Sequence, residues 1–112
     1  MKIEDIDIYH LPLWACAVVD EISEGCKNRL KVSPEYSRIE EESDKLLFKY
    51  PFISKLIDRD EIEEPMDLRL EQTKALSRFL ALDADREDYE RIQFYLMGCQ
   101  HMIEMLQLLE LL

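Results

Sequence analysis

From Tyr89 to Leu112 the chain keeps one amphipathic pattern without a break: Tyr89, Ile92, Leu96, Cys99, Ile103 and Leu106 recur at alternating steps of three and four. That spacing holds an apolar stripe against a neighbouring helix, so the last quarter of the chain is expected to be one helix with a packing seam. The stripe does not fade at its end. Met105, Leu108, Leu109, Leu111 and Leu112 leave an apolar terminus with no polar tail to cover it. A helix apolar over more than one stripe is either central in its bundle or shared with another chain. The seam from Tyr89 to Leu106 is expected to be intrachain core. Phe94, Met97, Met105, Leu108 and Leu112 exceed what that seam needs and are the expected interface of a homodimer, because isologous pairing covers such a surplus.

Size and charge bound the remaining possibilities. A chain of 112 residues suits one domain, residues 1–112, with a single core. It is 47% apolar and 35% charged, too apolar for disorder and too interrupted by charge for a membrane protein. No apolar run approaches the roughly 20 residues of a spanning helix. Glu4, Asp5 and Asp7 stand where a signal peptide needs basic residues, so a cytoplasmic location is expected. Cys16, Cys26 and Cys99 are odd in number, dispersed and near apolar faces, which suits buried free thiols in a reducing compartment. The net charge of −11 opposes direct nucleic-acid binding, which gains from cationic neutralisation.

Prolines punctuate the chain and only two glycines occur, Gly25 and Gly98, both inside helical patterns. The opening from Ile3 to Leu11 reads as a short extended or single-turn arm. Pro12 then starts a helix to about residue 31, with Ala15, Val19, Ile22 and Cys26 on one face. Gly25 inside it implies a bend or a closely approaching helix. Ser33 and Pro34 form a start signal, a capping hydroxyl before a residue that needs no amide partner. The helix over 34–50 has Tyr36, Ile39, Ser43, Leu46 and Tyr50 inward, and Pro51 ends it. After the acidic segment Asp58 to Glu64, a third helix over 66–82 is expected to bury Leu70, Thr73, Leu76, Phe79 and Leu80. Asp83, Ala84 and Asp85 should interrupt it, Asp85 capping a fourth helix over 86–111. A connection that short makes an antiparallel hairpin, and the whole reads as an all-α four-helix bundle of antiparallel hairpins.

Chemistry is sparse in this pattern. Cys99, His101 and Glu104, with Cys16, Cys26 and His10 as partners, are the residue types zinc accepts. Their spacing matches no common site, and residues 99 and 101 stand about 200° apart around a helix, so no metal or cofactor is expected. No phosphate loop, dinucleotide fingerprint or nucleophile signature occurs, so no catalytic residue is assigned and no enzymatic activity is expected.

The run YERIQFYLMGCQHMIEMLQLL, with the expected hairpin from about Met66, resembles small all-helical families of unknown function from Gram-positive gut bacteria and their mobile elements. The resemblance implies a helical fold and carries no activity or catalytic residues. The expected role is that of an acidic helical accessory or regulatory factor acting through an unknown protein partner. The alternative from another class is an acidic decoy that occupies a basic nucleic-acid-binding groove, drawn from the net charge and the Asp58 to Glu64 cluster.

Overall fold

The computed structural model describes residues 2–58 and 61–112. After a 3-10 turn at Ile3–Asp5 come α1 (Leu13–Lys31), α2 (Pro34–Lys49), the short α3 (Phe52–Ile57) and α4 (Leu70–Leu108). The fold is all-α, with no strand among the described residues.

Local chemistry explains most boundaries. Ser33 caps α2 by accepting the Tyr36 amide at 3.4 Å, and Pro34 follows in the first turn. Tyr50 leaves the helical region before Pro51, and α3 begins immediately after it. The Arg69 amide donates to Gln72 Oε1 at 2.8 Å, which settles one orphan donor at the start of α4.

The expected break at Asp83–Asp85 is not formed, and the hairpin it would have made is replaced by continuous helix. Leu70–Leu108 is one element of 39 residues. Aspartate costs less than about 1 kcal/mol in a helix interior, far below proline. Here Asp83 also pairs with Arg86 one turn on, and Ala84 between the two aspartates is the best helix former. The third helix starts at Leu70 rather than Met66, and its inward residues are Ala75, Leu76, Phe79 and Leu82. Leu70, Thr73 and Leu80 face outward.

The long helix sets the architecture. At 1.5 Å per residue α4 spans about 58 Å, which accounts for a molecule measuring 61 × 33 × 19 Å. Both α1 and α2 run antiparallel to it, one after the other, on the same side. Tyr36 and Glu42 of α2 reach Glu90 and Arg78, and Tyr50 just beyond α2 reaches Glu71. In α1, Arg29 and Gly25 meet Met97, while Ile22 borders His101 and Glu104. The bundle of four expected from the sequence is therefore a two-layer strut, with two helices in cross-section over most of its length. Its deepest core lies at one end, where Ile53, Ala75 and Phe79 are buried among Leu46, Leu47, Tyr50, Phe52 and Leu76.

Candidate functional site: an uncovered apolar face on the long helix

The inner side of α4 is a mixed stripe. Buried or half-buried residues run Gln72, Ala75, Phe79, Leu82, Arg86, Gln93, Met97 and His101. Its C-terminal half receives α1 through Gly25: a β-carbon at that position would stand 2.5 Å from Cε of Met97. The close approach expected at Gly25 is thus present. Met97, expected at an interface between chains, packs instead within the chain. Around Gly98 the space is open, with nothing within 4 Å of where a β-carbon would stand.

At about 100° per residue, the seam Tyr89, Ile92, Leu96, Cys99, Ile103 and Leu106 lies about a third of a turn around α4 from the Met97 stripe. It is not intrachain core. Ile92 is 58% exposed, Leu96 43% and Ile103 50%. Tyr95, Met102 and Leu109 flank it and are also exposed. The physical reason is that α1 docks by closeness of backbone at Gly25, on the side where Met97 and Phe94 stand, rather than on the side with the strongest apolar periodicity. Phe94, Met105, Leu108 and Leu112 are exposed as well, Leu108 and Leu112 most of all.

This outer face changes character along the helix. Before Tyr89 it carries Lys74, Ser77, Arg78, Asp85 and Asp88; after it come only apolar and uncharged side chains. The three charged residues between 89 and 109 are Glu90, Arg91 and Glu104; none is on the seam, and Arg91 stands at its edge, paired with Asp88. Gln93, Gln100 and Gln107, seven apart, border the seam on one edge.

One concavity adjoins the face and a second lies on the inner side of α4. An open groove of about 770 Å³ between α2 and α4 is lined by Arg38, Glu42, Arg78, Asp85, Tyr89 and Ile92. In it Arg78 donates two bonds to Glu42, at 2.8 and 3.0 Å, which lowers the Glu42 carboxyl from its ordinary range and raises the Arg78 guanidinium. A second pocket of about 530 Å³ lies where α1, α2 and α4 meet. There the Tyr36 hydroxyl donates to Glu90 Oε1 at 2.6 Å. Burial, then the Glu90 carboxylate, push the Tyr36 hydroxyl well above its usual range, so it stays a donor. Burial also raises the Cys26 thiol despite nearby Arg29, leaving it protonated and a poor nucleophile at neutral pH. Neither group is activated for bond-making.

The metal-type residues do not assemble. Cys16 and Cys99 are exposed, against the expectation of buried thiols, and only Cys26 is buried. His10 pairs with Asp7 at 2.6 Å in the N-terminal turn, remote in sequence from His101 on α4. Among the described residues no three His, Cys, Asp or Glu side chains converge as metal ligands, and no helix is long and apolar enough to cross a membrane. In the acidic segment, Arg59 and Asp60 lie outside the described residues; Glu61, Glu63 and Glu64 are exposed.

Residues 6–112 match a family of unknown function (DUF6664), and the chain belongs to it. No curated protein and no solved structure matches the chain.

Proposed function

We propose that this chain acts as a homodimeric accessory or regulatory factor that works through protein contacts and catalyses no reaction. The observation that carries the reading is the outer face of α4 from Tyr89 to Leu109, whose seam is apolar, uncharged and, apart from half-buried Leu106, uncovered in the single chain.

The surface area supports a partner of substantial size. A folded monomer of 13.4 kDa exposes about 6,500 Å² by the usual scaling, whereas this chain exposes 9528 Å². The surplus of about 3,000 Å² exceeds the roughly 800 Å² per partner of a standard interface. The radius of gyration points the same way: 19.2 Å, against about 13 Å for a compact domain of this length. A second copy on the outer face makes α4 a middle layer between its own α1 and the partner, which is why it is apolar on both sides.

Light scattering on the purified protein tests the reading. It should give twice the 13.4 kDa chain mass, and Ile103→Glu should halve that mass while circular dichroism still reports helix. A wild-type monomer at 100 μM, a concentration on the order of the weakest specific protein complexes, refutes it.

A decoy for a basic nucleic-acid-binding groove remains the reading from another class, supported by the net charge of −11 and by exposed Glu61, Glu63 and Glu64. Its signature is a complex that weakens steeply with salt and is lost when those glutamates become glutamines.

A further inference from the structure

We infer that the second copy lies antiparallel on α4, about a twofold axis between Met97 and Gly98, so that Tyr89 meets the partner's Leu106, Ile92 the partner's Ile103 and Leu96 the partner's Cys99. The inference rests on the homodimer reading and adds the orientation and the register.

The seam is symmetric in a way that fixes this register. Its six residues run Tyr89, Ile92, Leu96, Cys99, Ile103 and Leu106 with steps of three, four, three, four and three. That series reads the same backwards, so reversing one helix about its midpoint places every seam residue level with another. In an antiparallel pair the two kinds of seam position alternate across the interface, and here each layer joins one of each kind. The flanks agree: Tyr95 falls beside the partner's Met102, apolar against apolar, and Gln93 beside the partner's Gln100.

Charge selects antiparallel over parallel. A parallel pair in register would align both α4 helices along their whole length and set Asp85 against Asp85 on the outer face, in a chain already at −11. The antiparallel pair overlaps only residues 83–112. Asp88 then stands level with the partner's Gln107, and Asp85 reaches only the partner's Glu110, where the chain has left the helix with a positive φ of 60°. The polar half bearing Lys74, Ser77 and Arg78 extends into solvent at each end. Opposed helices also set the macrodipoles head to tail.

Spin labels on exposed Ser77 read the orientation. In a Cys16→Ser, Cys99→Ala background, with Cys26 buried, Ser77→Cys provides the one accessible label site on each copy. The 41 residues that separate the two labelled levels give about 60 Å in the antiparallel pair and under about 20 Å in the parallel one, at 1.5 Å per residue. A second measurement keeps the native Cys99: Leu96→Cys, mildly oxidised, should link position 96 to the partner's Cys99 in peptide maps. A dimer by light scattering with a distance near 60 Å and that cross-link bears the inference out. A dimer with labels closer than about 45 Å, or with Cys99 joined to Cys99, overturns the orientation and leaves the dimer standing. A monomer mass removes both.

Discussion

Gly25 and Met97 hold α1 against α4: the terminal methyl of Met97 occupies the space that any side chain at position 25 would need, 2.5 Å from the point where its β-carbon would begin. The methionine end is flexible and can swing aside, so Gly25→Ala should shift stability by less than about 1 kcal/mol, the gain in helix propensity offsetting the displaced methyl. Gly25→Leu has no such escape and should cost about 1–3 kcal/mol through overpacking. In a Met97→Ala background Gly25→Ala should become stabilising. Urea unfolding of the four proteins measures the coupling directly, and additive effects would refute the contact.

Tyr36 and Glu90 give the fold an alkaline limit. The folded chain holds the Tyr36 hydroxyl protonated above the usual tyrosine range, whereas the unfolded chain releases that proton near pH 10. The stabilisation is complete below pH 10 and is lost as pH rises beyond it, because only the unfolded state gains by ionising. In a spectrophotometric titration Tyr36 should ionise above the usual tyrosine range. Tyr36→Phe should remove the late step and lower stability by about 1 kcal/mol, Glu90 being able to turn to solvent.

Continuity of α4 through Asp83, Ala84 and Asp85 is open to a direct test. Ala84→Pro in an unbroken helix should cost about 3 kcal/mol or more, and the melting temperature should fall accordingly. A loop at that point would accept the same substitution with a change under about 0.5 kcal/mol, the usual range for surface sites.

The three thiols should report on association by their reaction rates. Cys16 and Cys99 are exposed and should react quickly with a disulfide reagent in dilute solution, while Cys26, buried and protonated, lags. Raising the protein concentration should slow Cys99 alone. Equal slowing of Cys16, which lies away from the seam on α1, would point to a different interface.

Much of the secondary structure is legible in the residues because it is written locally. Ser33 with Pro34, Pro51, and the stripe Tyr36, Ile39, Ser43, Leu46 and Tyr50 all act within a few positions of themselves, and each lies in the structure where the pattern places it. Asp83–Asp85 misleads because a pair of helix-neutral residues looks like punctuation, while the Arg86 pairing that carries the helix through is a side-chain contact. The seam misleads for a different reason. Periodicity shows that Leu96 and Ile103 need covering but not by what, and the choice falls to Gly25, where the missing side chain lets α1 settle on a different side of α4. The glycine is the sequence signal for that choice. It shows close approach without naming the helix that approaches. The interface residues divide in the same way: Leu108 and Leu112 stand free, whereas Met97 is engaged by α1.

The end-to-end placement of α1 and α2 along one helix has a mechanical consequence. The two meet each other around their junction at Val32 and Ser33, while each packs along its own stretch of α4, so much of what either half senses of the other passes along the axis of α4. Such a strut behaves as a one-dimensional assembly, in which opening begins at an end and travels. The end built on Ile53 and Phe79 is an anchor, and the end where Leu13 and Trp14 stand exposed on α1 is the first to peel.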